Sequence, residues 1–151
     1  MIREFKGNIF ESRARIIAHG CNCVGLMGAG LAAQMSQRFP EMYKAYQKLC
    51  DDKEFNPGSC FLWSVEWDSE LDHFYYIANL GTQFYPGRNA KMEYIKDSVA
   101  ELLFQAHGLF IDRVAIPRLG CGIGGLAWDD VLLMLEEEFG RHNVDIDVYF
   151  M

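Results

Sequence analysis

The stretch His19-Gly20-Cys21-Asn22-Cys23-Val24-Gly25-Leu26-Met27-Gly28-Ala29-Gly30-Leu31-Ala32-Ala33-Gln34 limits what this chain can fold into more than any other. It leaves an apolar run, Ile16-Ile17-Ala18, that reads as a buried strand, and it enters Ala32-Ala33-Gln34-Met35-Ser36-Gln37, which reads as a helix. A strand that feeds a helix through a glycine-rich turn aims free backbone N–H groups at one point, and the helix N-terminus adds partial positive charge there. Such a turn is an anion site. The spacing matches neither G-x-x-x-x-G-K-[ST] nor G-x-G-x-x-G, so neither standard nucleotide fingerprint is present.

The rest of the chain alternates strand and helix. Residues 2–8 read as a strand, and 15–19 as a second one covered on both faces. Helical spacing runs over 30–39 and, past Pro40, over 41–50. Residues 60–65 and 74–79 read as strands on either side of a polar turn at 67–72, and 80–89 as a loop. The helix over 90–107 carries Met92, Ile95, Val99, Leu102, Leu103 and Ala106 on one stripe, with Gly108 as its stop. Residues 114–117 form a short strand that runs into a second glycine-rich loop, 118–126. A helix over 129–139 and a strand over 145–150 complete the chain. This order predicts an α/β fold with a largely parallel sheet, and 151 residues suit one domain over 1–151. Loops that follow parallel strands lie on the same sheet edge, where ligands bind. Two N–H-rich loops on that edge would make a clamp for a diphosphate.

Charge narrows the partners. Lys and Arg number 14 against 21 Asp and Glu, a net charge of −7, which predicts no direct nucleic-acid binding and no anionic membrane partner. A small anion would have to be held by local backbone dipoles. Five cysteines, an odd count with no signal peptide, fit a reducing, cytoplasmic setting rather than a disulfide framework. Cys21-Asn22-Cys23 lacks zinc-site spacing, so neither a metal nor a cofactor is expected.

With Gly-Asn-Ile at 7–9, Ile-Ile-Ala-His-Gly-Cys-Asn-Cys at 16–23, Met-Gly-Ala-Gly-Leu-Ala at 27–32 and Ile-Pro-Arg-Leu-Gly-Cys-Gly-Ile-Gly-Gly-Leu-Ala-Trp at 116–128, the chain resembles the macrodomain family over essentially its whole length. It is similar to the branch containing ADP-ribose-1″-phosphate phosphatases and terminal ADP-ribose protein glycohydrolases. The resemblance implies a three-layer α/β/α sandwich with a mixed, mostly parallel sheet of about six strands. It implies ADP-ribose or a derivative as ligand, either free or carried on ADP-ribosylated proteins.

Carried over by position, Asn8 and Ile9 would border the adenine, with Asn8 where the family usually has an Asp. An Asn at a strand end also caps turns. Asn22 would lie beside the distal ribose, and Gly28, Ala29, Gly30 and Leu31 beside the diphosphate. Gly120, Cys121, Gly122, Ile123, Gly124, Gly125 and Leu126 match the second phosphate loop, and Tyr149 would flank the adenine. The glycohydrolase relatives use a Lys after the fourth strand and an Asp in the second loop. Here Asn79-Leu80-Gly81-Thr82-Gln83 has no Lys, and Gly124 stands where the Asp would. That leaves Asn22 and His19 as the catalytic candidates, placing water for hydrolysis of ADP-ribose-1″-phosphate. The alternatives are a non-catalytic ADP-ribose reader and an ADP-ribosyl hydrolase that works without the Lys/Asp pair.

Overall fold

Ile16, Ile17, Ala18 and His19 are buried in succession, which requires cover on both faces of their strand. The computed structural model describes residues 1–68 and 73–151 and supplies that cover. In chain order the elements are β1 (Ile2–Lys6), β2 (Ile16–Cys21), α1 (Gly30–Arg38), α2 (Pro40–Asp51), β3 (Cys60–Asp68), β4 (His73–Gly81), α3 (Met92–Gly108), β5 (Arg113–Pro117), α4 (Trp128–Phe139) and β6 (Asp145–Phe150). The sheet order is β1-β6-β5-β2-β4-β3. Every pairing is parallel except that of β3 with β4.

Side chains alternate across the sheet, so each strand feeds two cores. Ile16, Ala18, Ala78, Leu80, Val114, Ile116, Ile146 and Val148 pack under α3 and α4, against Ile95, Val99, Leu102, Val131 and Leu135. Ile17, Cys21, Ile77 and Ala115 face the other way, toward Met35 of α1 and Met42 and Tyr46 of α2. The result is the expected three-layer α/β/α sandwich with a mixed, mostly parallel sheet.

Several element ends differ from the sequence reading. β1 stops at Lys6, because Asn8 turns the chain by accepting the Phe10 N–H at 2.9 Å. Pro40 does not interrupt one helix but begins a new one, where its missing N–H costs nothing. β4 continues to Gly81, paired with Cys21. α3 starts at Met92 because the Ala90 N–H is drawn to Gly124 O, 3.3 Å away. Gly108 belongs to α3, and the left-handed residue after the helix is Phe110, at φ 59°. The Phe110 N–H reaches His107 O and the Ile111 N–H reaches Ala106 O, the pairing of a Schellman stop. The part of the expected turn at 69–72 lies outside the described residues.

Candidate functional site

The first glycine-rich loop is shaped by Asn22. Its Oδ1 accepts the N–H groups of Val24 (3.1 Å) and Leu26 (3.3 Å), and its Nδ2 donates to Leu26 O at 2.7 Å. The Tyr46 hydroxyl stands 2.7 Å from Asn22 O and 2.9 Å from Asn22 Oδ1. Burial keeps that hydroxyl protonated by pushing its pKa upward, so it serves as the donor. Tyr43 and Gln47 of α2 both donate to Gly25 O, and buried Met27 anchors the following bend. The loop is therefore held from beneath, while Gly28, Ala29 and Gly30 stay exposed above. Ala29 provides no side-chain cap, so no side chain takes the first amides of α1 there. Gly30 adopts φ 58°, which L side chains rarely tolerate.

The second loop leaves β5 through buried Leu119. Gly120 has φ 75°, and a Cβ there would stand 2.5 Å from Ile95 Cδ1, so the backbone presses directly onto α3. The Leu126 N–H closes the loop onto Gly120 O at 2.9 Å around a single 3-10 turn, Gly122–Gly124. Beside it, Glu4 accepts Trp128 Nε1–H at 2.8 Å and pairs with Arg118 at 3.5 Å, tying both flanks of the loop to β1.

A third segment, 82–91, joins the two loops. The Thr82 N–H donates to Cys21 O (3.1 Å) and the Cys23 N–H to Phe84 O (2.8 Å). At its other end the Ala90 N–H reaches Gly124 O, and the Arg88 side chain lies along Gly125. Both glycine-rich loops therefore stand at the carboxyl edge of the parallel strands, stitched to one common segment. The sequence marked this segment only as a loop over 80–89 and by the missing Lys at 79–83. Lys91, the nearest lysine, is exposed and sits over the Tyr94 ring, 5.5 Å from its centroid.

The remaining candidate residues divide. Ile123 is exposed, while Leu31 and Leu126 are half-buried against the two cores. Asn8 spends its Oδ1 on the Phe10 amide, the Ile9 side chain is buried in the core, and the Ile9 carbonyl accepts the Ser12 N–H at 3.0 Å. Tyr149 stacks on Phe5, with centroids 5.4 Å apart, and with Arg13, Arg15 and Asp147 lines a cavity reaching the amino ends of β2 and β5. His19 is only 1% exposed. Its Nε2 donates to Asn79 Oδ1 at 2.6 Å, and desolvation by burial drops its pKa from 6.5 to about 4. The acid–base role expected for His19 therefore meets a neutral imidazole buried on the face of β2 that Ile17 and Cys21 share. Burial raises the thiol pKa of Cys121, whose Sγ points to Leu119 O at 3.5 Å, and pushes Cys23 up to about 12. Neither is a thiolate near neutral pH.

A profile of the Macro domain matches residues 18–135. The chain is 34% identical over 150 residues to a protein of Mycobacterium tuberculosis named DNA ADP-ribosyl glycohydrolase, covering 99% of this chain and 42% of that one. The solved macrodomain of M. tuberculosis DarG superposes with a TM-score of 0.87 at 34% identity, over 99% of this chain and 97% of that one. The structure of Thermosipho africanus DarTG in complex with ADP-ribose matches with a TM-score of 0.84 at 26% identity, over 97% of this chain and 41% of that one. An ADP-ribose 1″-phosphate phosphatase of Meyerozyma guilliermondii is 29% identical over 172 residues, with 95% of each chain covered. The chain thus spans about two fifths of the length of its glycohydrolase relatives. A relative named for DNA also removes support for the expected exclusion of nucleic acid. Among the described residues no helix is long and apolar enough to cross a membrane. With more than half its length matched by the profile and its fold shared with solved members, this chain belongs to the macrodomain family.

Proposed function

We propose that the chain binds ADP-ribose across its two glycine-rich loops and hydrolyses ADP-ribose-1″-phosphate to ADP-ribose and phosphate. The observation that carries the reading is the joining of two N–H-rich loops by the 82–91 segment at one sheet edge. In a chain of net charge −7, backbone dipoles are what a diphosphate can use there. Gly28 to Leu31 supply those dipoles, together with the amides of Gly120 to Leu126 other than those of Cys121, Gly125 and Leu126, which bond within the loop. Asn8 and the Ile9 N–H, just past β1, and Tyr149, near the carboxyl end of β6, are assigned to the adenine end.

In the reaction a water oxygen attacks phosphorus. The bond from phosphorus to the 1″ oxygen breaks, and that oxygen takes up a proton to become the anomeric hydroxyl. Positioning supplies most of such catalysis. One Nδ2 hydrogen of Asn22 is not used by the loop, and it is the group assigned to orient the reacting end. His19 contributes only by fixing β2 to β4 through Asn79.

A second reading is release of ADP-ribose from DNA. It is favoured by the glycohydrolase relatives, and by the exposed pair Phe84 (41%) and Tyr85 (62%) beside the site, with Arg88 and Lys91 in the same segment. The absence of the Lys/Asp pair weighs against it.

The test assays wild type and Asn22→Ala side by side, for phosphate released from ADP-ribose-1″-phosphate and for ADP-ribose released from ADP-ribosylated DNA. Phosphate release by wild type that Asn22→Ala lowers at least about a hundredfold is the expected result. Release from DNA alone selects the second reading. Turnover of neither, with ADP-ribose still bound, makes the chain a reader.

A further inference from the structure

Gln83 holds an acceptor oxygen that the protein leaves open. Both of its Nε2 hydrogens are committed, to Tyr85 O at 2.7 Å and Gly87 O at 3.1 Å. An amide has two N–H donors and one acceptor oxygen, so these bonds settle which way the side chain faces. No described residue donates to Oε1. Because no enclosed side-chain oxygen or nitrogen lacks a partner among the described residues, Oε1 is open to solvent.

The position of that oxygen is informative. A Cβ placed on Gly124 would stand 3.4 Å from Oε1, so the second glycine loop passes directly beside it. On the other side the Gln83 carbonyl accepts the Cys23 thiol at 3.4 Å, next to Asn22. Gln83 therefore stands between the two loops, where the surrounding backbone offers donors suited to a diphosphate. An acceptor at this point has no use for phosphate oxygens. It suits a hydroxyl group attached next to the diphosphate, and as a neutral amide it adds no repulsion.

We infer that Gln83 Oε1 accepts a hydrogen bond from a hydroxyl of the terminal ribose and sets a preference for ADP-ribose over ADP. This rests on the ADP-ribose reading above. The absence of a side chain at Gly124 keeps the approach to Oε1 open, and the Tyr85 and Gly87 carbonyls hold the amide in place before the ligand arrives, so little ordering remains to be done on binding.

Calorimetric titration of ADP-ribose and ADP into wild type, Gln83→Met and Asn89→Ala tests it. Met keeps the length of Gln and removes the acceptor. Asn89→Ala loosens the same segment by deleting the bond to Pro86 O, without touching Oε1. The expected result for Gln83→Met is about a tenfold loss of ADP-ribose affinity with ADP changed less than about twofold, while Asn89→Ala keeps the wild-type ratio. Equal losses for both ligands, no loss for either, or a ratio shift in Asn89→Ala matching that in Gln83→Met overturns the role of Gln83 alone. Wild type that binds neither ligand overturns the ADP-ribose reading and this inference with it.

Discussion

His19 and Asn79 stand opposite one another on neighbouring parallel strands, and the His19 Nε2–H donates to Asn79 Oδ1 at 2.6 Å. Asn79 in turn gives its Nδ2–H to Phe61 O at 3.1 Å, which fixes its oxygen toward the imidazole. Three strands are linked through this chain of bonds. Burial holds the folded imidazole at about 4, below its ordinary 6.5, so it stays neutral in the native state. Between those values the unfolded chain binds a proton that the folded chain does not. Stability is therefore complete above the ordinary value and falls as pH drops toward 4, by roughly 3 kcal/mol in all. Urea midpoints of wild type and His19→Gln, measured from pH 7 down to pH 4, check this. Wild type should show the steeper loss; parallel curves would contradict it.

Gly30 tests the diphosphate placement. It is exposed, it has φ 58°, and a Cβ there meets nothing within 4 Å, so a side chain would project into open space at the loop. Gly30→Glu adds a negative charge on that approach. Its ADP-ribose affinity should fall more than about a hundredfold, with a stability loss of about 1 kcal/mol from the left-handed backbone. Calorimetry reads the first and thermal unfolding the second. Unchanged affinity would refute the assigned path.

Phe110 offers a gain. A phenylalanine at φ 59° carries a steric cost, and at 96% exposure it makes little packing in return. The stop is otherwise complete, with Ile111 N–H bonded to Ala106 O at 2.9 Å. Phe110→Gly should raise the unfolding free energy by about 1 kcal/mol in urea. A loss of stability would mean that the exposed ring has a role that the fold does not reveal.

What the residues disclosed depended on whether a signal was local. β2 was legible because an apolar run without alternation demands two covering layers, and α3 because its stripe recurs at helical spacing. Both glycine loops were legible for the same reason. The left-handed Phe110 was not, since the usual glycine sat two residues earlier. The surroundings of His19 were not either. Which face of β2 turns inward under α1 and α2 is decided by tertiary packing, and its spacing before Asn22 carries no trace of that. Tyr46, which clamps Asn22 from 24 residues away, lay within the helical spacing over 41–50 with nothing local to tie it to Asn22. Gln83 gained its interest from a neighbour 41 residues on, Gly124, that only the folded chain brings near.

The most direct test is an amide NMR titration of the ¹⁵N-labelled protein with ADP-ribose. The amides of 28–31 and 122–126 should shift together and saturate along one binding curve, because both loops close on the same diphosphate. Shifts confined to one loop, or lying elsewhere while both loops stay still, would contradict the shared site on which the proposed function stands.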